Sequence, residues 1–180
     1  MKAFAGDFRL AQATRVLLVL SLTACGNDAE PEMTAFDGGF SGTTTVVAPG
    51  EEGSQDRCNA NASDGAHPGF IFSGLDDLTG EFTILGPVTI VASDCIHPER
   101  GRFAQGRATL RTANGDVLMT EFQGSFQATD DPDVEVGRGE HQILGGTGRF
   151  AQAEGTVVCE FSTRVSTSEV RGDCHGDIRL

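Results

Sequence analysis

Proton chemistry in this 180-residue chain must come from a short list of groups. There are four histidines, His67, His97, His141 and His175, and 26 acidic side chains. Lys2 is the single lysine, so no residue beyond the N-terminal stretch can form a lysine Schiff base. Tyrosine and tryptophan are absent, which removes a phenolic acid and indole stacking. The densest constellation lies on one alternating segment, Val134 to Leu144. Val134 and Val136 share parity there with Arg138, Glu140 and Gln142. If that face turns inward, Arg138 and Glu140 can pair and orient a small polar or carboxylate ligand, with Phe122 and Phe126 completing the pocket from the preceding strand. The alternative is a bulge at Gly137 or Gly139 that reverses the strand and turns His141 and Ile143 inward. The rarity of buried charge favours the bulge.

Other clusters constrain less. Asp94, His97 and Glu99 flank Cys95, as a solvated turn would also arrange them. Asp130, Asp131 and Asp133 lack the frame of a calcium loop. No C-x-x-C pair or zinc-spaced Cys/His group occurs, so neither a metal nor a cofactor is expected. Asn61-Ala62-Ser63 is a sequon that a bacterial exported protein leaves unmodified.

These groups need a scaffold and a compartment. Residues 1–24 read as a leader: Lys2, Arg9 and Arg15 supply positive charge, and Val16 to Leu22 form an apolar core too short to span a bilayer. Leu22-Thr23-Ala24-Cys25 resembles a bacterial lipobox, which implies cleavage before Cys25 and lipidation of its thiol. An ordinary signal peptide is the alternative. Residues 25–35 then read as a lipidated cysteine followed by a polar tether, and residues 36–180 as one domain. Lys2, Asp7, Arg9 and Arg15 leave with the leader, so 10 basic and 25 acidic side chains remain and the net charge moves from −13 to −15. Such a surface repels nucleic acid and anionic headgroups, leaving a lipid anchor as the membrane contact.

With Cys25 spent on lipid, Cys58, Cys95, Cys159 and Cys174 form an even set, as two disulfides of an exported protein require. From Phe36 onward the pattern is period two, with no long helical stripe. Phe36, Phe40, Thr44 and Val46 share one parity, as do Leu118, Phe122 and Phe126, and Val157, Cys159 and Phe161. Eight strands are expected, the second over about 69–74 and the third over about 81–93, with Gly86-Pro87 marking a bulge or an edge. Asn114-Gly115 marks a hairpin. Residues 48–65 read as an acidic loop pinned by Cys58. A two-residue turn at Ser166-Thr167 sets Cys159 opposite Cys174, which leaves Cys58 to pair with Cys95. Eight antiparallel strands with hairpin-length connections predict an all-β, closed up-and-down barrel with one or two single-turn helices. A sandwich is the alternative.

The run Gly145-Gly146-Thr147-Gly148-Arg149-Phe150, followed by Ala153-Glu154-Gly155, resembles the barrel loop of allene oxide cyclases and dirigent proteins, whose pattern has arginine at the place of Glu154. Thr112 to Asp116 resembles a hairpin of uncharacterised bacterial relatives of those barrels. The resemblance implies a calycin-like barrel, but those families' catalytic acids and arginines have no matching positions here. The run is also intelligible as architecture. Thr147 can cap one helical turn, Gly155 can end it, and Phe150 can plug the barrel. Gly101 to Gln105 echoes Gly148 to Gln152, a shared demand of two turns at one barrel end or a duplicated hairpin.

Three functions fit this reading of a monomeric, lipid-anchored protein of the bacterial envelope. The first is a non-enzymatic module that binds a small apolar or amphipathic ligand among Phe70, Phe72, Phe82, Phe122 and Phe126. The second is a cyclase- or isomerase-type barrel enzyme. The third is a structural or adhesive envelope lipoprotein.

Overall fold

The structure is a computed structural model that describes residues 32–65 and 67–180. The leader, Cys25 and most of the tether lie outside those residues. Eight antiparallel strands close into a barrel in which each strand pairs with its neighbours in sequence and β1 pairs with β8. They are β1 (Thr34–Val47), β2 (Phe72–Phe82), β3 (Gly86–His97), β4 (Arg102–Thr112), β5 (Val117–Ala128), β6 (Val134–Gly146), β7 (Glu154–Arg164) and β8 (Glu169–Arg179). Closure leaves no edge strand and lets inward and outward side chains alternate along every strand.

The alternation sorts the sequence cleanly. Phe36 and Phe40 of β1, Leu78 and Phe82 of β2, Val88 and Ile90 of β3, Leu110 of β4 and Leu118 of β5 enter one core with Ile143, Val157, Val170 and Ile178. Cys159 faces Cys174 in the β7–β8 register and the two are bonded inside the barrel. Cys58 is bonded to Cys95.

The second and third strands depart from expectation. β2 extends to Phe82, and the chain turns at residues 83–85 before Gly86 and Pro87 open β3. Glycines at 74 and 80 mask the continuous strand, because their missing side chains interrupt the alternating pattern. Both lie against a neighbour: a Cβ on Gly74 would collide with the Asp94 carboxylate, and one on Gly80 would lie 2.8 Å from the Phe82 ring.

Part of the expected loop is helical. α1 (Asp56–Asp64) spans nine residues, ends at the left-handed Gly65, and lies on the outside of the barrel against β2 and β3. Its Cys58 is bonded to Cys95, the Gln55 amide ahead of it donates to Ser73 Oγ at 2.8 Å, and Asn61 Nδ2 donates to the Phe70 carbonyl and to Gln105 Oε1. Composition hid this helix because the residues it buries are a cysteine and an asparagine, Cys58 and Asn61, rather than an apolar stripe, and Ala60 and Ala62 are exposed.

The barrel has two unlike ends. At one, Phe36, Phe82, Leu85, Ala153 and Ile178 pack around Phe150, whose side chain is fully buried. This closed end also holds Thr34, where β1 begins, and Arg179, where β8 ends. At the other end Val46 and Val165 are 59 % and 53 % exposed.

Candidate functional site

The barrel is hollow. A cavity of about 530 Å³ occupies its interior, within the range of small-molecule sites. Seven phenylalanines line it: Phe36, Phe40, Phe82, Phe103, Phe122, Phe126 and Phe161. An eight-strand barrel can be just filled by side chains, so the vacancy needs a cause. Inward glycines supply it. A Cβ on Gly38 would strike the Phe82 ring, one on Gly106 the Phe122 ring, one on Gly137 the Phe161 ring and one on Gly124 the Phe103 ring. Each ring therefore lies against the wall over a neighbouring glycine, where a larger residue would push it toward the axis. The wall is aromatic and the centre stays open. The mouth lies at the end bounded by Val46, Pro98, Phe126, Glu135, Val165 and Ser168, because the opposite end is sealed by Phe150.

The Gly145–Gly155 run builds that seal. Gly146 lies so close to the Val117 carbonyl that a side chain there would collide with it, and Gly148 holds φ 57° beside the Asp116 carboxylate. Thr147 does not cap the following turn with its side chain: its Oγ1 accepts from the Val117 amide at 3.0 Å, tying the run to β5. Gly155 does not end that turn either. The single 3-10 turn Gly148–Phe150 closes at Ala151, and Gly155 lies within β7. The echo at Gly101–Gln105 sits at the open end, not at the same end as Gly148–Gln152. Both copies place a left-handed glycine two residues before a buried phenylalanine, Phe103 or Phe150.

The polar candidates from sequence do not converge. Arg138 and Glu140 stand exposed on the outer face of β6, opposite Glu160 and Val158 of β7, and leave the cavity to Phe122 and Phe126. Yet no bulge in β6 turns His141 and Ile143 inward. The β6–β7 register is continuous from Val134 to Ile143, so Val134 and Val136 share the outer face with Arg138, and Glu135 points in. The valines misled because this face is only half-covered. Phe70 also lies outside the barrel, edge-on to His67 and His97, and Phe72 is half-buried away from the cavity lining. Asp94, His97 and Glu99 separate: Asp94 borders the cavity, His97 is buried beside Gly69 and Phe70, and Glu99 is exposed. Asp133 bonds Arg164 at 2.7 Å and the Ser166 amide at 2.7 Å, so its carboxylate serves the turn.

Sequence reasoning missed the polar groups that do enter. Asp76 and Asp94 face the cavity from β2 and β3. Asp76 pairs with Ala92 and Asp94 with Gly74, so the two carboxyls sit one inward step apart on neighbouring strands. Asp94 is 8 % exposed, and its Oδ1 has no hydrogen-bond partner. Burial, with the Asp76 charge adding to it, raises its pKa to about 7. Burial also raises Asp76, against a hydrogen bond from Thr44. On the far wall His141 stacks on Phe122 with ring centroids 4.7 Å apart, and its Nδ1 lies 3.2 Å from Thr120 Oγ1. Burial lowers its pKa to about 4, so the ring is neutral at physiological pH. The inward parity of Asp76 was legible only once Leu78 and Phe82 belonged to the same strand.

No protein-family model, curated protein or solved structure matches the chain.

Proposed function

We propose that the chain is a ligand-binding barrel, tethered to the bacterial envelope through a lipid on Cys25, that holds one small apolar or amphipathic molecule in its interior. The observation that carries this reading is the 530 Å³ aromatic cavity, sealed at one end by Phe150 and open at the other. Aromatic walls of this kind gain affinity by removing ligand surface from water, at roughly 25 cal/mol per Å² of apolar area. The two disulfides fit an oxidising, exported compartment. β1 begins at the closed end, away from the mouth. A monomer suffices, because the whole cavity is built from one chain.

Native mass spectrometry of protein purified from its own host tests the proposal. A retained small molecule, lost when Phe126 and Phe161 are changed to tryptophan to fill the lumen, is the expected result. Wild-type protein that carries no adduct and takes up no apolar probe would overturn it.

A second reading rests on a separate observation. Asp94 and His141 border one largely apolar cavity with pKa values displaced to about 7 and about 4, the separation that acid–base catalysis uses. A cyclase- or isomerase-type enzyme, similar in principle to the allene oxide cyclase and dirigent barrels, would draw on that pair. Conversion rather than retention of the bound molecule separates this reading from the first.

A further inference from the structure

The lining of the cavity is polarised in a way that specifies its ligand. Among the described residues, its charged or titratable lining is Asp76, Asp94, Glu135 and His141, with no arginine. His141 is neutral, so the wall offers negative charge and hydrogen-bond acceptors with no cation to balance them. The acids are also localised. Asp76 and Asp94 lie on the halves of β2 and β3 nearer the open end, beside Thr44, and Glu135 stands at the mouth. The closed end is hydrocarbon: Phe36, Phe82, Phe150 and Ile178. A guest therefore meets acceptors near the mouth and aromatic rings below.

Asp94 is the sharpest feature. A carboxylate oxygen without a partner, on a side chain more than nine-tenths buried, leaves the desolvation cost of that atom uncompensated. The charge of Arg57 and a backbone hydrogen bond from Gly74 both favour the carboxylate, but Oδ1 itself has no partner. Arg57 sits outside the barrel, and its guanidinium is committed to the carbonyls of Ser93 and Gln105, to Ser93 Oγ and to Gln55 Oε1. Thr44 serves Asp76 rather than Asp94. The backbone gives room for this arrangement: any side chain at residue 74 would collide with the Asp94 carboxylate, and the residue there is glycine.

We propose that Asp76 and Asp94 form a head-group subsite for a protonated amine carried on an otherwise apolar body, so that the barrel selects amphipathic amines over alcohols and rejects carboxylates. This rests on the reading of the barrel as a ligand-binding module. An ammonium donates to both carboxyls, satisfies the free Asp94 oxygen and offsets the repulsion between two acids on adjacent strands. A carboxylate ligand meets three acids and no donor cation. An alcohol offers one proton where the site presents several acceptors.

The test compares three ligands with one aromatic body: 1-naphthylmethylamine, 1-naphthalenemethanol and 1-naphthoate. The chain has no tyrosine or tryptophan, so naphthalene fluorescence is read without protein background. Titrations of the full chain, disulfides intact, at pH 8 should show the amine binding at least tenfold tighter than the alcohol, with the carboxylate weakest. In the D76N/D94N double variant the amine should fall to within about twofold of the alcohol. Equal binding of amine and alcohol to the wild type, or preferential binding of the carboxylate, overturns the head-group assignment and leaves the cavity reading standing. Failure of all three to bind overturns both. The wild-type ranking decides the matter even if the double variant folds poorly.

Discussion

The Arg57 guanidinium binds the Ser93 carbonyl at 2.8 Å and the Ser93 hydroxyl at 2.9 Å, one residue before Asp94 turns into the cavity. Its Nε reaches the carbonyl of Gln105, which has φ 56°. Both contacts fall on one bulge: β4 carries an extra residue around Gln105, which shifts its register against β3 between Ser93 and Cys95 and against β5 between Phe103 and Gly106. One side chain on α1 thus ties the β4 bulge to the strand that carries Asp94.

Arg57→Met keeps most of the stem and removes the charged donors. It should lower stability by about 3 kcal/mol, the scale of one or two hydrogen bonds from a charged group whose buried acceptors are left unmet. Urea unfolding followed by far-ultraviolet circular dichroism measures this. A change under about 0.5 kcal/mol would show that the bulge holds without the clamp.

Stability should respond to pH in opposite senses at two sites. Asp94 has a folded pKa of about 7, raised from 3.8, so its contribution is full below the unfolded pKa and is lost as pH rises from about 4 to 7. His141 has a folded pKa of about 4, lowered from 6.5, so stability falls as pH drops through that same interval. The two largely cancel in the wild type. Asp94→Asn should gain on the wild type by roughly 4 kcal/mol between pH 4 and 7. His141→Phe should gain by roughly 3 kcal/mol between pH 6.5 and 4. Unfolding free energies at half-unit pH steps give both differences, and parallel curves for variant and wild type would contradict them.

The disulfides should contribute unequally. Cys159–Cys174 closes 15 residues and Cys58–Cys95 closes 37. Chain-entropy arguments assign about 3 and about 4 kcal/mol respectively. Serine pairs at 58/95 should therefore cost more in thermal unfolding than serine pairs at 159/174, and should also release α1, seen as faster amide exchange over residues 56–64.

Phe150→Ala should cost about 3–5 kcal/mol, since it empties a fully buried site. It should also speed release of a bound probe by opening the closed end. Stopped-flow dissociation reads this second effect separately from stability.

Arg138→Ala and Glu140→Ala should each change stability by less than about 0.5 kcal/mol and leave probe affinity unchanged, because both side chains stand on the outer face. A tenfold loss of affinity in either variant would place part of the site outside the lumen.

The barrel was legible where strands carry their own alternation. Phe36 to Val46, Leu118 to Phe126 and Val157 to Phe161 each name their inner face, and counting outward from Ser166-Thr167 placed Cys159 opposite Cys174. The site was not legible, for two reasons. Glycines at inward positions carry no polarity to read, so β2 looked broken and Asp76 had no assigned face. β6 has valines outside and a glutamate inside, and its true phase is fixed by hydrogen bonding to β5 and β7 rather than by its own composition. Arg138 and Glu140 therefore drew attention away from Asp76, Asp94 and His141.

Both Thr34 and Arg179 lie at the end that Phe150 seals. The backbone therefore enters β1 and leaves β8 at the base of the barrel, and the opening faces the opposite way. Held on a surface at Thr34 or Arg179, the barrel would stand like a cup on its foot, with its rim toward the solution and its contents free to exchange.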